Sequence, residues 1–479
     1  MNGIVLHDGQ RAWSAGELST AVRTTQLALR YTGTRVLATL LDNGAAVTVL
    51  DEAAAGAGIV HVPLPPFFTP EQIRHALQTA GVDTLVAAPA AAAAWPVLPW
   101  QDMEVAGSSL NVAHLPAHGL PMPTGTAKIT YTSGSTGAPK GVCLRLAAME
   151  RVADGVVQAL GPLGITRHLS VLPFAVLLEN VAGQMAARRQ GALLITPPLA
   201  ELGWQGSSQF DVATFHASVL RHAPDSMILL PQMLRAWVGL LRQTGQRAPA
   251  NLKFVAVGGA AVGAPLIAAA QALGIPAYEG YGLSEGASVQ TLNLPGAQEA
   301  GSVGRPLPHA RLRVAADGEI EVAGSLFAGY LGDAHPAPEW WPSGDLGHID
   351  ANGHVHIQGR KKNLLISAYG RNISPEWVET ALGSQPVIRQ AVVFGDGEPS
   401  LWALIWPLQE DLPDAALQAA VDAANASLPD YARVARWTRG RGAFSAQTGY
   451  ATANGRPQRA AILNAHGDMR ALHPETLTS

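Results

Sequence analysis

The sequence predicts an α/β fold: a large N-terminal unit with mostly parallel sheets and a small antiparallel β unit, then a smaller α/β unit at the C-terminal end. Three observations lead there. Short β-branched or apolar runs alternate with alanine-rich amphipathic stretches to about residue 280, the pattern of βαβ units. After Gly301 the texture changes to a two-residue alternation punctuated by Asp-Gly and Asn-Gly. A chain of 479 residues, 48% of them apolar, exceeds what one core organises and suggests two or three domains.

The elements follow in order. Arg35 to Leu41 reads as a strand and Gly44 to Ala57 as a helix; Ile59 to Pro63 and Pro70 to Gly81 repeat the pair, as do Lys253 to Val257 and Pro265 to Leu273. The alanine-rich stretch Thr84 to Leu98, broken by Pro89 and Pro96, is shorter than the ~20 residues a membrane span needs and reads as a helix and loop on the first sheet layer. Residues 311–314, 318–322 and 354–357 alternate with period two around turns at 317–318 and 352–353, which predicts antiparallel strands. The basic run after Gly359 marks a boundary, giving units 1–360 and 361–479. Beyond it, Pro375 to Leu382 and Ala415 to Leu428 read as helices, and Val387 to Phe394 and Leu401 to Trp406 as strands, in a unit of about 117 residues.

Composition narrows the function. A net charge of −4 with interspersed signs gives no reason to expect nucleic acid as a partner. The clusters Arg188-Arg189 and Arg433 to Arg441 read as solvated faces. The single cysteine, Cys143, makes no internal disulfide, which fits a reducing cytoplasm, and its apolar neighbours assign it to packing. The N-terminus lacks the basic start and apolar stretch of a signal peptide, so export is not expected and no transmembrane segment is read.

Chemistry concentrates between Tyr131 and Gly141. The run Thr132-Ser133-Gly134-Ser135-Thr136-Gly137-Ala138-Pro139-Lys140 is small, hydroxylated and glycine-rich, ends in one lysine, and re-enters apolar sequence at once. Such a run lets N–H groups and hydroxyls converge on an anion, with Lys140 adding a positive charge. It is the cradle of a nucleoside triphosphate. It is not the common P-loop, because Ala138 and Pro139 separate Gly137 from Lys140.

The run resembles the phosphate-binding signature of the adenylate-forming superfamily, which includes acyl-CoA synthetases, luciferases and nonribosomal peptide synthetase adenylation domains. Further motifs match in order: Gly56 to Leu64; Gly258-Gly259-Ala260-Ala261; Tyr281-Gly282-Leu283-Ser284-Glu285; Ser343-Gly344-Asp345; Gly359-Arg360-Lys361-Lys362; and Gly370-Arg371-Asn372-Ile373-Ser374-Pro375-Glu376. The resemblance implies two αβα-layered sheets and a mobile C-terminal lid. It also implies ATP and Mg2+ as cofactors, a carboxylic acid as substrate, and coenzyme A or the phosphopantetheine of an acyl carrier protein as acceptor.

Residue roles follow from the same resemblance. Thr132 to Lys140 would hold the β- and γ-phosphates, Ser284 would touch the α-phosphate, and Glu285 with Thr132 would face Mg2+, which prefers one or two carboxylates plus phosphate oxygens. Gly259, Ala260 and Gly282 would contact the nucleotide, Tyr281 would offer its ring to adenine, Asp345 would accept from the ribose hydroxyls, and Arg360 would add a contact. Taken singly, Tyr281 and Asp345 also suit turn packing and Glu285 a helix N-terminal carboxylate. Phe174, Val176, Leu177, Pro231, Gly258, Gly280 and Gly286 would line the acid pocket, Lys362 would be the hinge, and Gly370 and Arg371 would face the thiol.

Two departures matter. Arg456 stands in the Asn454-Gly455 frame where the superfamily carries a catalytic lysine; it keeps the charge, but its planar fork aims differently. Val176 stands where acyl-CoA synthetases often place an aromatic or histidine, and Phe174 where amino-acid-activating relatives carry an aspartate. An apolar fatty or aryl acid is therefore favoured over an amino acid. Two alternatives stay open: a degenerate nucleotide-binding homologue with weak or no adenylation because of Arg456, and a ligase with a non-thiol acceptor.

Overall fold

A computed structural model of the chain describes residues 3–66, 68–132, 139–205, 209–333, 335, 337–369, 371–445, 447–451 and 457–466. Two large sheets dominate. The nine-stranded sheet runs Arg305–Pro306, Ser288–Leu292, Ala277–Leu283, Phe254–Val257, Ser226–Leu229, Arg167–Leu169, Leu193–Ile195, Ile4–His7, Ala12–Ser14, with parallel pairing throughout its middle. The eight-stranded sheet runs Gly329–Tyr330, Lys140–Leu144, Lys128–Thr132, Val60–Pro63, Val36–Leu40, Thr84–Ala87, Ser108–His114, Gln101–Val105. It is mixed, with parallel pairs at its centre and antiparallel pairs toward both edges. One antiparallel edge arises where the chain returns directly through Ala106-Gly107, both at positive φ.

The layering is visible in what packs together. Helices Ala15–Tyr31 and Ala45–Ala57 share one apolar cluster with Leu6 and Leu194 of the nine-stranded sheet and with Leu37 and Val86 of the other. Helix Leu146–Leu160 likewise joins Phe254 and Val289 to Val142 and Leu144. These helices form a middle layer. Helices Val212–His222, Pro231–Thr244 and Ala264–Ala272 cover the far face of the nine-stranded sheet, while Pro70–Ala80 and Pro89–Ala93 cover that of the eight-stranded one. The starts are locally encoded: Ser14 with Glu17, and Thr69 with Gln72, close capping boxes that satisfy N-terminal amides.

The period-two region forms a four-stranded antiparallel sheet, Ala310–Val314, Glu319–Gly324, Trp341–Ile349 and Val355–Arg360. The strand Trp341–Ile349 was not expected from the pattern, since Pro342, Ser343 and Gly344 break its alternation. In the C-terminal unit, Ile388–Phe394, Leu401–Pro407 and Val434–Arg439 form a sheet packed by helices Pro375–Gly383 and Asp414–Asn425. The basic stretch is thus partly an edge strand, with Arg436 paired to Glu398 and Arg439 to Asp414. Arg188 pairs with Glu52, and Arg189 with Glu150 and Asp154. Cys143 is fully buried, and burial pushes its thiol up to about 11. Among the described residues no helix is long and apolar enough to cross a membrane.

Candidate active site

The phosphate run bridges two paired strands. Thr132 lies opposite Lys140 and Tyr131 opposite Gly141 in an antiparallel ladder. Helix Pro70–Ala80 grips both ends of the connection: the Tyr131 hydroxyl donates to the Ala76 carbonyl (3.0 Å) and shares a 2.6 Å hydrogen bond with Thr79, while His75 Nε2 donates to the Pro139 carbonyl (3.0 Å). Ser133, Gly134, Ser135, Thr136 and Gly137 lie outside the described residues, as do Gly370 and Arg456.

The edge strand Gly329–Tyr330 sets Tyr330 against Val142, which brings its ring beneath Lys140, with Nζ 5.6 Å from the ring centroid. The phenol donates to Glu285 Oε1 at 2.7 Å. Burial, and then the Glu285 charge, hold the Tyr330 hydroxyl in its protonated form. The turn Ser284–Gly286 is fastened to the same segment by the Phe327 amide donating to the Glu285 carbonyl (2.8 Å). Tyr330 was missed by sequence reasoning; its only signal is an aromatic between Gly329 and Leu331-Gly332.

On the other side of that turn, the Tyr281 hydroxyl donates to Asp345 Oδ2 at 2.7 Å. Asp345 Oδ1 receives Arg360 Nε at 2.7 Å, its cross-strand partner, and Arg360 also donates to the Ser343 carbonyl. Asp345 is buried. Tyr281 and Glu285 thus close the two ends of a short segment, one on Asp345 and the other on Tyr330. Glu279, two residues before Tyr281, is buried with its carboxylate accepting from the Val262 amide at 3.0 Å; burial pushes it up to about 7.

The acid-pocket residues converge only in part. A Cβ on Gly258 would meet the Gly280 carbonyl at 3.2 Å and Leu178 Cδ2 at 3.8 Å, and one on Gly259 would meet Leu230 Cδ2 at 3.1 Å. The two glycines therefore let four segments approach closely. Val176 and Leu178 pack on the apolar cluster that includes Pro231's helix. Leu177 joins the middle-layer cluster, and Gly286 faces the Gln290 side chain. Phe174 is buried against His61, its ring 6.2 Å away, with Lys128 Nζ 5.6 Å from its centroid. Ala260 and Gly282 lie exposed beside this region.

At the boundary, Lys361 bonds Asp317 (2.6 Å) and Glu319 (2.8 Å), while Asn363 bonds Glu376 at 2.5 Å, so Lys362 sits between an anchor on each side. Arg371 lies 6.0 Å from the ring of Tyr431. For Mg2+, Glu285 offers one oxygen beyond its bond to Tyr330, which fits an ion taken mostly by phosphates and water. Among the described residues no group of three acidic, histidine or cysteine side chains is arranged to hold a metal by itself.

Comparison with known proteins finds matches over nearly the whole chain. The model of the AMP-binding enzyme family matches residues 2–331, and that of the AMP-binding enzyme C-terminal domain matches residues 362–469. The chain is 29% identical over 345 residues to the long-chain-fatty-acid–CoA ligase FadD15 of Mycobacterium bovis, covering 63% of this chain and 57% of that protein. It is 31% identical over 294 residues to the 2-succinylbenzoate–CoA ligase of Bacillus velezensis, covering 57% of this chain and 56% of that one. The alignments therefore span little more than half of these relatives. The fold is similar to that of the anthranilate CoA ligase AuaEII in complex with anthranoyl-AMP (TM-score 0.82, 19% identity, 98% and 95% of the two chains). It is also similar to that of the O-succinylbenzoate coenzyme A synthetase of Bacillus subtilis in complex with AMP (TM-score 0.76, 22% identity, 95% and 94%).

Proposed function

Because the chain belongs to the AMP-binding enzyme family of the adenylate-forming superfamily, we propose that it is an ATP-dependent ligase joining an apolar carboxylic acid to coenzyme A. A carboxylate oxygen attacks the α-phosphorus of ATP and pyrophosphate leaves; the thiol sulfur then attacks the acyl carbonyl and AMP leaves. The observation that carries this reading is the pair Tyr281–Asp345 and Tyr330–Glu285, set on either side of one short turn with Lys140 beside the second.

Each residue contributes a binding or orienting role. Asp345, held by Tyr281 and Arg360, accepts from the ribose hydroxyls. Lys140 and the run ahead of it place positive charge and N–H donors on the β- and γ-phosphates, and Ser284 faces the α-phosphate. Glu285, oriented by Tyr330, would hold Mg2+, which would supply positive charge to the phosphates. Arg456, in the lysine's place, brings its cation to the reacting oxygens. These groups align two anions that would otherwise repel.

Support for an apolar acid comes from Val176, Leu178 and Leu230 around Gly258 and Gly259, with Phe174 where an ammonium-binding acid would stand. The relatives' names, a long-chain fatty acid ligase and an aryl-acid ligase among them, favour coenzyme A as acceptor and a fatty or aryl acid as substrate. A division at 360/361 with its pivot at Lys362 is supported by the anchors on both sides of that residue. Gly370 and Arg371 then present the acceptor side after rotation.

The test is product mass. With ATP, Mg2+, coenzyme A and a panel of fatty and aryl acids, acyl-CoA and AMP are expected in equal amounts. Acyl transfer only to a carrier protein or an amine would change the acceptor, and ADP as product would overturn the reading.

A further inference from the structure

The segment Val171–Asn180 carries the acid-pocket wall, and its fixation comes from three buried polar side chains, Glu179 of the segment itself and two on other elements. The Asn43 amide brackets it, donating to the Leu172 carbonyl (3.0 Å) and accepting from the Phe174 amide (2.7 Å). Glu179 accepts from the Val171 and Leu172 amides (3.2 and 3.1 Å) and faces His168 Nε2 at 3.2 Å. The third tie is an ammonium. Lys128, only 3% exposed, donates to Asn180 Oδ1, stands 5.6 Å from the Phe174 ring centroid, and pairs with Asp51 Oδ1 at 2.8 Å.

Lys128 is itself held. Asp51 Oδ1 also takes the Nδ1–H of His61 at 2.6 Å, and His61 Nε2 meets the Thr39 hydroxyl at 2.9 Å, which fixes the ring's tautomer. Burial alone would raise the Asp51 carboxyl, but the Lys128 charge and the His61 hydrogen bond keep it well below the usual carboxylate range. Beside this cluster lies a cleft of about 530 Å³ between the middle-layer helices, lined by Asp51, His61, Lys128, Met149, Met185 and Arg188 among others. Lys128 and His61, which line this cleft on one side, meet Phe174 and Asn180 on the other.

We propose that Lys128, held by Asp51, is a positioning and specificity-determining residue that sets the depth of the acid pocket by fixing Phe174 and Asn180 against the cleft. This rests on the assignment of Val171–Asn180 to the acid-pocket wall. Lys128 also opens the strand that ends at Thr132. Losing the ammonium lets the wall relax into the cleft and admits bulkier acids, while the nucleotide-binding residues keep their contacts.

The test uses the full-length protein with Lys128→Met, and with the double variant Asp51→Asn/Lys128→Met. The double variant leaves no buried unpaired charge, so it folds where the single one is compromised. Kinetics are read across a homologous series of straight-chain and aryl acids. The expected result for the double variant is an acid KM raised about tenfold for the best wild-type acid and a preference moved to longer acids, with the KM for ATP unchanged. Unchanged acid preference and acid KM in a folded double variant would overturn the proposal, as would equal increases in both KM values. Hydrogen exchange at the Phe174 and Asn180 amides provides a readout independent of turnover. Faster exchange there in the double variant is expected, and unchanged protection overturns the proposal. If the wild-type protein activates no acid, the ligase reading fails on its own while the exchange measurement still decides whether Lys128 holds the segment.

Discussion

Tyr330 donates its hydroxyl to Glu285 across 2.7 Å, tying the edge strand beside Lys140 to the turn that follows Tyr281. A phenol hydrogen-bonded to a carboxylate leaves one carboxylate oxygen aimed and the other available, which is how a single acidic side chain orients a metal–phosphate complex.

Removing that hydroxyl should weaken nucleotide binding without touching the acid. Tyr330→Phe keeps the ring under Lys140 and deletes one hydrogen bond to a charged group, worth about 1.5–3 kcal/mol. The KM for Mg-ATP is expected to rise by about tenfold or more with the acid KM unchanged. Steady-state kinetics with each substrate varied in turn checks this; equal KM values in both proteins would separate Tyr330 from the phosphate end.

Asp345→Asn should act at the ribose end. The amide leaves Arg360 without its 2.7 Å carboxylate partner and offers one acceptor oxygen instead of two. Calorimetric titration is expected to show AMP affinity reduced by about tenfold or more. Unchanged affinity would mean that the Tyr281–Asp345–Arg360 cluster only packs the hairpin.

Glu279 supplies a pH signature. Its folded carboxyl is pushed from the ordinary 4.5 to about 7 by burial, against the pull of the Val262 and Gly263 amides. The folded chain therefore holds this proton more tightly than the unfolded chain does. The stabilisation is complete below about pH 4.5 and is lost as pH rises through about 7, roughly 3 kcal/mol in all. Glu279→Gln should flatten this part of the stability curve and gain relative to wild type above neutral pH, as read by melting temperature against pH. Parallel curves would contradict the burial of an uncompensated carboxyl.

Much of this site was legible in the sequence because its parts are local. The run ending at Lys140, the Tyr281–Glu285 segment and Asp345 each announce themselves through glycines and hydroxyls at short spacing, whereas the paired strands Lys128–Thr132 and Lys140–Leu144 that hold the run were not read. Tyr330 was not legible, because its role depends on an edge strand laid beside Val142 by a distant return of the chain. The Asp51–His61–Lys128 cluster was hidden for the same reason: Lys128 meets Asn180 across 52 positions, and a lysine inside an apolar strand carries no periodic signal of its partner. The strands Trp341–Ile349 and Val434–Arg439 escaped notice because glycine, proline and paired arginines interrupt their alternation.

Arg456 is the departure with the sharpest kinetic consequence. Arg456→Lys should retain or raise the adenylation rate, because an ammonium at that position suits the superfamily's geometry. Arg456→Ala should depress it by about tenfold or more, the loss expected of one charge-assisted contact in the transition state. Single-turnover formation of acyl-AMP distinguishes the three proteins. Equal rates would remove Arg456 from the reaction.

The central claim is that the Tyr281–Asp345 and Tyr330–Glu285 pairs hold ATP while a carboxylate displaces its pyrophosphate. Acid-dependent exchange of labelled pyrophosphate into ATP measures that step alone, before any acceptor is involved. Exchange that requires a fatty or aryl acid and falls in Tyr330→Phe and Asp345→Asn is the predicted result; no exchange with any acid in the wild-type protein would contradict the account.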